Sequence, residues 1–256
     1  MTPSFDELVA AAAEKFRQAR YAVALTGAGM STPSGIPDFR SQGTGLWTQN
    51  DPMRVASLTA FRYRPQAFYN WLRPLVRQIW QAQPNPGHMA LAELESLDLL
   101  KAVVTQNIDL LHQRAGSKEV IPVHGSMETF SCLRCRNVVS SDSLIDDLLN
   151  TERNPLCPNC GAVLKPDIVL FEELLPEDAW RRAETHFRRA DLVLVAGSSL
   201  EVMPAGGLPL FALENGAEII INTLSSTYLD DEASLLLPFD IAQTLPAVVR
   251  QLSPAG

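Results

Sequence analysis

The sequence lacks an apolar run long enough to cross a membrane, and it lacks an excess of positive charge. Its 256 residues carry 29 Asp and Glu against 21 Lys and Arg, so the formal net charge is −8. A transmembrane helix needs about 20 consecutive apolar residues, and surfaces that bind nucleic acids or anionic membranes are usually basic. We therefore expect a protein that binds neither membranes nor nucleic acids through its general surface.

The N-terminal residues also lack the features of a secretory signal. Residues 1–16 have no basic lead, and Asp6, Glu7 and Glu14 interrupt their apolar positions. Ser4 and Glu7 fit a capping box, so this segment is predicted to be an amphipathic helix that packs on the core. The default expectation is a cytoplasmic protein. No sequence feature demands a partner subunit, so a monomer is expected.

Two common nucleotide-binding motifs are absent. Gly27-Ala28-Gly29 follows an apolar run, but Thr32 stands where a dinucleotide fingerprint needs its third glycine. No acid ends a second strand about 20 residues on, which disfavours a dehydrogenase, and no G-K-[ST] occurs, which excludes a P-loop nucleotide triphosphatase. Glycines after a strand let backbone N–H groups approach a phosphate, although a plain tight turn explains these three residues equally well.

Short apolar runs alternate with helical patterns along most of the chain. The runs are residues 21–25, 102–105, 120–123, 168–171, 192–196 and 218–221. This alternation is typical of an α/β fold with a mostly parallel, doubly wound, Rossmann-like sheet. Polar residues follow five of the runs, beginning at Gly27, Gln106, His124, Gly197 and Asn222. Parallel strands end at one edge of a sheet, where open α/β folds bind ligands, so these five tips are expected to meet.

Two segments interrupt the alternation and predict a smaller lobe. Residues 41–83 look helical and are rich in aromatic residues and arginine, and residues 126–165 contain all four cysteines. We predict that this helical module and this zinc-binding module together form the small domain. Residues 1–40, 84–125 and 166–256 are predicted to form a discontinuous Rossmann-like domain. A chain of this length suits one large domain with an insertion.

The cysteines form two C-x-x-C pairs, Cys132 with Cys135 and Cys157 with Cys160, separated by 21 residues. That separation is slightly longer than usual for a four-cysteine zinc site, but the pairing otherwise indicates one zinc ion. Four thiolates complete the coordination and leave no position for substrate or water, so the zinc is predicted to be structural. A zinc ribbon can also contact proteins or nucleic acids, and the acidic charge makes nucleic acid the weaker of these readings.

His124 is the strongest candidate base among the four histidines. It ends an apolar run, precedes a glycine and lies at the predicted ligand edge, where an imidazole can accept a proton near neutral pH. Its position alone leaves an ordinary packing role open. For His88, His112 and His186, a surface or core role is the better explanation.

The order of these motifs resembles that of the sirtuin family of NAD-dependent protein deacylases, over nearly the whole chain. The stretches that carry the resemblance are GAGMSTPSGIPDFR (27–40), TQNIDLLHQRAG (105–116), VHGSM (123–127), the cysteine pairs, KPDIVLF (165–171), AGSSLEVMPAGGLP (196–209) and IIIN (219–222). The resemblance implies acetylated protein substrates, NAD consumed as a co-substrate, and one structural zinc. The products would be free lysine, nicotinamide and O-acetyl-ADP-ribose.

The resemblance also implies the roles of individual residues. NAD contacts would come from Gly27, Ala28, Gly29, Ser31, Ile36, Asp38, Phe39, Arg40, Gln106, Asn107, Ile108, Asp109, His124, Gly197, Ser198, Ser199, Asn222, Asp240 and Ile241. The acyl-lysine peptide would lie beside Val169, Leu170, Phe171 and Glu172. The catalytic residues would be Asn107 and His124. In the family's mechanism the acyl oxygen attacks the ribose as nicotinamide leaves, and the histidine then takes a proton from the ribose hydroxyls.

Two positions depart from the family's patterns. Sirtuins that prefer acidic acyl groups carry a Tyr-x-x-Arg pair, but Leu72 follows Tyr69 at that spacing, and Arg73 is one place too far along the helix. Neutral acyl groups, acetyl first, are therefore expected. Glu172 stands where many relatives have glycine. It either favours basic residues near the target lysine or simply points to solvent.

Three other functions remain open at this stage. The protein could instead remove acyl groups other than acetyl from lysine, using the same NAD and peptide site. Mono-ADP-ribosyl transfer to protein would need the NAD site without an acyl-lysine requirement. A non-catalytic NAD sensor is the least favoured, because it would not need the set of Asn107, Asp109 and His124.

Overall fold

The computed structural model describes residues 3–38, 45 and 51–252. Phe39 and Arg40, both predicted NAD contacts, lie outside the described residues. The α-helices of the described part are α1 (Phe5–Gln18), α2 (Pro52–Val55), α3 (Leu58–Tyr63), α4 (Pro65–Gln81), α5 (Pro86–Ser96), α6 (Leu111–Ala115), α7 (Ile145–Asn150), α8 (Glu177–Arg189), α9 (Leu208–Leu213) and α10 (Ile241–Leu252). The strands are β1 (Ala22–Thr26), β2 (Ala102–Thr105), β3 (Val120–Pro122), β4 (Gly125–Ser131), β5 (Val138–Ser140), β6 (Lys165–Ile168), β7 (Leu192–Ala196), β8 (Glu218–Asn222) and β9 (Leu235–Leu236).

A six-stranded parallel sheet forms the centre of the molecule, in the order β3-β2-β1-β7-β8-β9. Its central strands β1, β2 and β7 are buried along their whole length, as is usual for parallel sheets with helices on both faces. Strands β2 and β3 are added in sequence on one side of β1, and β7, β8 and β9 are added on its other side. This reversal creates a topological switch point between β1 and β7, which confirms the predicted doubly wound fold.

Two hydrophobic layers cover the two faces of this sheet. Successive residues of a strand point to opposite faces, so Ala22 and Ala24 pack in one layer while Val23 and Leu25 pack in the other. The first layer contains α1, α5 and α10, and the second contains α8 and α9. Helix α1 begins with the predicted capping box and buries its apolar face, as expected. Among the described residues, every helix is too short or too polar to span a bilayer.

A three-stranded antiparallel sheet, in the order β5-β4-β6, forms a second and smaller layer. One hydrophobic cluster joins this sheet to helices α3, α4 and α7 and includes the buried cysteines Cys132 and Cys157. We call this unit the small lobe. The helical module and the zinc-binding module therefore share a single core.

The sequence predicted that run 168–171 is a strand of the parallel sheet, but the structure does not place it there. The strand is Lys165–Ile168, and it pairs antiparallel with β4 in the small sheet. Residues 169–171 leave that sheet and form single contacts instead: the Val169 N–H donates to the His124 carbonyl, and Phe171 forms a bridge with Ser57. The small sheet also extends past the predicted boundaries at residues 125 and 166, and the division into domains stays a prediction.

Candidate active site

A cleft of about 1300 Å³ opens where the strands of the parallel sheet end. It exceeds the roughly 300–1,000 Å³ of a site for one small ligand, so it has room for two substrates. The strand ends that line it supply Gly27, Ala28 and Gly29 after β1, Gln106, Asn107 and Ile108 after β2, His124 after β3, Gly197, Ser198 and Ser199 after β7, and residues 223–226 after β8. The sheet order thus brings the predicted tips to one edge.

The glycines after β1 and β7 allow two loops to pack backbone against backbone. The Gly29 N–H donates to the Gly197 carbonyl at 2.9 Å. A Cβ atom on Gly27 would lie 2.8 Å from the Gly197 oxygen, and one on Gly197 would lie 2.2 Å from the Met30 nitrogen. Gly197 also has a φ of +63°, in the region that favours glycine. These glycines are therefore needed to shape the cleft wall, in addition to any approach by a ligand.

His124 lies at the cleft surface with a defined tautomer. Its Nδ1 atom is 3.0 Å from the Gln106 carbonyl, which can only accept a hydrogen bond, so Nδ1 carries the proton. The Nε2 atom of the neutral ring is then free to accept a proton. Burial lowers the pKa of His124, and the bond to the Gln106 carbonyl opposes that shift only in part. The ring is therefore neutral near physiological pH, as a general base must be.

A buried polar network holds Asn107 at the base of the cleft. The Asn107 side-chain nitrogen donates to the Gly27 carbonyl at 2.9 Å and to Ser31 Oγ at 3.1 Å. Ser31 Oγ donates to Asp109 at 2.6 Å, and the other Asp109 oxygen accepts the Leu111 N–H at 2.9 Å. Burial raises the pKa of Asp109, and its hydrogen bonds from Ser31 and Leu111 oppose the shift. The network fixes the orientation of the Asn107 amide.

His88 and His112 are core residues, as expected, but they also support this network. The Asn85 N–H donates to His88 Nδ1 at 3.3 Å, so His88 Nε2 carries the hydrogen that faces Ser31 Oγ at 3.5 Å. The His112 ring lies 4.8 Å from the His88 ring, and its Nε2 contacts Thr26 Oγ1 at 2.9 Å. Burial lowers the pKa of His88 to about 4 and that of His112 well below its ordinary value. This support was not predicted from the sequence, although Asn-Pro-Gly-His at a helix start is a recognisable capping signal.

Four of the predicted NAD contacts lie behind the cleft surface. They are Ser31, Ile36, Asp109 and Asn222, which are buried and are not among the lining residues. Asn222 is an example of a residue that supports the cleft from behind. Its side-chain nitrogen donates to the Leu237 carbonyl at 2.7 Å and to the Phe239 carbonyl at 2.9 Å. It thereby holds the loop that brings Phe239 and the predicted contacts Asp240 and Ile241 to the cleft.

The predicted peptide-binding residues Val169, Leu170, Phe171 and Glu172 all line the cleft, and we call residues 169–172 the substrate segment. Its Val169 N–H donates to the His124 carbonyl at 2.8 Å, so the segment starts directly beside the candidate base. No donor among the described residues reaches the Val169 carbonyl. At its other end, the Phe171 N–H donates to Ala56 and the Phe171 carbonyl accepts the Leu58 N–H, both at 3.0 Å. The segment is therefore attached to the helical module.

Glu172 forms a contact that neither sequence interpretation anticipated. It adopts a φ of +74°, which explains why glycine suits this position, and its carboxylate accepts the Thr59 N–H at 2.8 Å. Thr59 lies in the first turn of α3, where backbone N–H groups have no partner within the helix. By capping this helix, the Glu172 carboxylate offsets the strain of the residue's own positive φ. One carboxylate oxygen is therefore held in the wall of the cleft.

Glu172→Ala is expected to destabilise the protein by about 1 kcal/mol, because alanine keeps the positive φ and removes the helix cap. Glu172→Gly removes the strain along with the cap, so it should lie closer to the wild type. Urea unfolding of both variants measures the difference, with Glu152→Ala as a control on an exposed glutamate of the small lobe. An alanine variant as stable as the wild type would show that the Thr59 contact contributes nothing.

The cleft wall formed by α4 is apolar in the described residues. Leu72 and Leu75 of α4 line it, together with Trp71. Tyr69 is buried and donates its hydroxyl to the Leu164 carbonyl. Arg73 faces away from the cleft and donates to the carbonyls of Leu148 and Arg153 at 2.8 and 3.1 Å. No arginine or lysine is among the described lining residues, and Arg40, a predicted NAD contact, lies outside the described part of the chain.

The four cysteines lie together at the edge of the small lobe. Their sulfur atoms are all within 4.8 Å of one another, and the Cys132–Cys160 and Cys135–Cys157 sulfur pairs are each 3.5 Å apart. A tetrahedral zinc with Zn–S bonds of about 2.3 Å places its sulfurs about 3.8 Å apart, so the cluster fits one zinc ion. It lies among structural residues of the small lobe, and none of the four cysteines lines the cleft.

The two cysteine pairs have the same backbone geometry. The Arg136 N–H donates to the Cys132 carbonyl, and the Gly161 N–H donates to the Cys157 carbonyl, each at 2.9 Å. Both donors have a positive φ, +61° for Arg136 and +71° for Gly161. These repeated turns point the thiols of both pairs at one centre.

Comparison with known proteins agrees with this arrangement. Residues 27–204 match the model of the Sir2 family. An NAD-dependent protein deacetylase from Thermotoga maritima is 42% identical over 234 residues, which cover 91% of this chain and 94% of the relative. The chain belongs to the Sir2 family. The NAD-dependent protein deacetylase 1 of Geobacillus kaustophilus is 44% identical over 218 residues, covering 85% of this chain and 87% of the relative.

The Sir2 fold extends over nearly the whole chain. A solved structure of a Sir2 variant with a deacetylated p53 peptide and 3′-O-acetyl ADP ribose aligns with a TM-score of 0.89. It is 40% identical in sequence, and the match covers 95% of this chain and 98% of that one. The resemblance drawn from the motifs is therefore confirmed.

Proposed function

We propose that this Sir2 protein removes acetyl groups from protein lysines and consumes NAD, giving nicotinamide, O-acetyl-ADP-ribose and free lysine. Membership of the family and the deacetylase names of its relatives support the assignment. The observation that carries it is the position of His124. Its neutral ring lies between the glycine-rich loops and the substrate segment, where two substrates would meet.

The glycine-rich walls bind the phosphates and riboses of NAD in this proposal. The N–H groups of Gly27, Gly29 and Gly197 bond within the wall itself, but those of Ala28, Ser198 and Ser199 have no acceptor among the described residues. These three backbone donors are suited to an anion, because they donate without adding charge of their own. Ser198 and Gln106 form a polar pair at this wall, with Gln106 Nε2 donating to Ser198 Oγ at 2.9 Å. Asn107, held by Ser31 and Gly27, orients the nicotinamide end of the cofactor.

The acetyl-lysine lies along the substrate segment. The Val169 carbonyl is the acceptor for its amide N–H, since the described residues offer it no other donor. The apolar wall at Leu72 and Leu75 surrounds the acyl group. Arg73 points away from the cleft and cannot pair with an acidic acyl group. A carboxylate buried there would be unpaired and therefore costly. Neutral acyl groups, acetyl first, are the favoured substrates.

His124 acts as the general base. The acetyl oxygen attacks the ribose carbon as nicotinamide leaves, and His124 Nε2 then accepts a proton from a ribose hydroxyl, which makes that oxygen nucleophilic toward the acetyl carbon. Water then adds to this carbon, the lysine amine leaves as its bond to the carbon breaks, and the acetyl group stays on the ribose as O-acetyl-ADP-ribose. Because burial lowers the pKa of His124, the neutral base is present throughout the physiological range. The zinc cluster maintains the small lobe and takes no part in the reaction.

Nicotinamide release tests this function. The purified protein is given NAD and peptides that carry acetyl-, butyryl-, succinyl- or unmodified lysine. Release that requires acetyl-lysine and yields O-acetyl-ADP-ribose is expected, with succinyl-lysine the poorest acylated substrate. Release without an acyl requirement would indicate ADP-ribosyl transfer to protein, and no release with any peptide would favour an NAD sensor.

The proposed partners are acetylated proteins. With a net charge of −8, nucleic acids are not expected to bind. The monomeric state and the cytoplasmic location stay predictions of the sequence.

A further inference from the structure

Lys165, at the start of β6, is a buried cation behind the substrate segment. Its side chain is 8% exposed, and its Nζ donates to the Ile168 carbonyl at 2.8 Å and to the Pro166 carbonyl at 3.1 Å. Nζ also lies 2.9 Å from a carboxylate oxygen of Glu173. An ammonium in such a place needs both a counter-charge and hydrogen-bond acceptors, and here it has both.

Glu173 connects this cation to the segment itself. The carboxylate oxygen that faces Lys165 also accepts the Leu170 N–H at 2.9 Å, and the Glu173 N–H donates back to the Leu170 carbonyl at 3.1 Å. Lys165 and Glu173 therefore bond to the backbone on both sides of Val169, at the Ile168 carbonyl and the Leu170 N–H. The peptide units on either side of Val169 are thereby fixed.

We propose that the Lys165–Glu173 ion pair positions the acetyl-lysine substrate, by holding Val169 in register with His124. This proposal deepens the proposed function and rests on it. Val169 is the residue whose N–H bonds to the His124 carbonyl and whose own carbonyl is left for the substrate amide. A rotation of either neighbouring peptide unit would move that carbonyl relative to the base. Glu173 lines the cleft and Lys165 does not, but the carboxylate oxygen of Glu173 is engaged by Lys165 and the Leu170 N–H. Both are therefore positioning residues that act through the backbone beside Val169.

Stability alone is a poor reason for such a pair. Replacing both members of a buried ion pair by apolar side chains is often neutral or stabilising, because the desolvation of two charges is avoided. The bonds to the Ile168 carbonyl and the Leu170 N–H would nevertheless be lost. The loss should therefore appear in peptide binding more than in the stability of the fold.

The test compares two double variants, K165M/E173L and K165M/E173Q. Both remove the two charges of the pair, but only glutamine retains an acceptor for the Leu170 N–H. In K165M/E173L the KM for an acetyl-lysine peptide is expected to rise roughly 10-fold, the effect of weakening one hydrogen bond between the Val169 carbonyl and the substrate amide. The KM for NAD should change by less than about twofold, because the pair bonds only to the peptide side of the cleft. K165M/E173Q should recover part of the peptide KM.

K15M/E218Q is the matched control. Lys15 and Glu218 form an ion pair of the same length, 2.9 Å, between α1 and β8 and away from the cleft lining. Its loss should leave both KM values unchanged. Zinc content and thermal unfolding of each variant show that the chain is folded.

Direct binding of a fluorescent acetyl-lysine peptide separates this proposal from the proposed function. A rise in the peptide Kd of K165M/E173L, partly reversed in K165M/E173Q, supports the positioning role whether or not turnover is seen. An unchanged peptide Kd, or equal rises in the KM values for peptide and NAD, would overturn it. Failure of the wild type to form O-acetyl-ADP-ribose would instead overturn the proposed function.

Discussion

A His124→Ala variant is expected to lose NAD-dependent deacetylation by roughly 10²- to 10⁴-fold, the range that a positioned general base contributes. Alanine removes the Nε2 atom, and no other histidine among the described residues lines the cleft. The single hydrogen bond lost is the one from Nδ1 to the Gln106 carbonyl. The fold and the zinc content should therefore be retained, and steady-state turnover of an acetyl-lysine peptide measures the loss.

The pH dependence provides a second signature of the same residue. The wild type should lose activity on acidification, as His124 takes up a proton and can no longer act as a base. Because burial lowers the pKa of His124, activity should be lost only at pH values below about 6.5, the ordinary pKa of histidine. The residual activity of the alanine variant should lack that dependence.

His186→Ala is the matched control. That ring contacts the Tyr21 hydroxyl on the outer face of the molecule, away from the cleft lining. Its removal should leave deacetylation and its pH profile unchanged. Near-normal turnover by His124→Ala would contradict the assignment of the base.

Loss of the zinc site is expected to have the largest effect on structure. Cys132→Ala removes one of four ligands from a cluster whose sulfurs lie within 4.8 Å of one another. Structural zinc contributes about 10–16 kcal/mol to the folding of isolated zinc-binding peptides. Since Cys132 and Cys157 belong to the small lobe's core, the three-stranded sheet should unfold when the metal is released. Metal analysis, near-ultraviolet circular dichroism and thermal unfolding measure this.

Deacetylation should fail in the same variant for an indirect reason. The substrate segment follows β6 of the small sheet and bonds to the helical module at Ala56 and Leu58. Both supports belong to the lobe that the zinc maintains. Chelation of the wild type should reproduce the effect, and added zinc should reverse it. A Cys132→Ala variant that stays zinc-loaded and folded would refute the four-cysteine site.

Sequence patterns were sufficient for the features that depend on local spacing. The cysteine pairs predict their own convergence, because C-x-x-C turns direct two thiols to one point. The capping box at Ser4 and Glu7 involves residues three apart, and the structure has both of its hydrogen bonds. The alternation of strands and helices predicts a parallel sheet, and a parallel sheet brings all its strand ends to one edge. His124 and the two glycine-rich loops follow from that rule.

Only the tertiary structure decides which distant groups meet at that edge. Ser31 and Asp109 are 78 residues apart, and their hydrogen bond needs the turns after β1 and β2 to pack together. Gly197 belongs to the loop after β7, which packs against the backbone of Met30 in the loop after β1. A side chain at Gly197 would collide with the Met30 nitrogen, so glycine is needed there.

Long-range pairing also explains why the prediction for run 168–171 was wrong. Its apolar residues are equally compatible with a strand of either sheet. The pairing of β6 with β4, and the bonds from Lys165 and Glu173 to its backbone, assign it to the small lobe and the substrate cleft. Periodicity along a chain determines which residues can be buried, but the partner of a buried residue depends on the path of the whole chain. The sequence alone therefore determined the fold class, the zinc site and the strand tips of the cleft. The tertiary structure decided which residues line that cleft and which ones support it from behind.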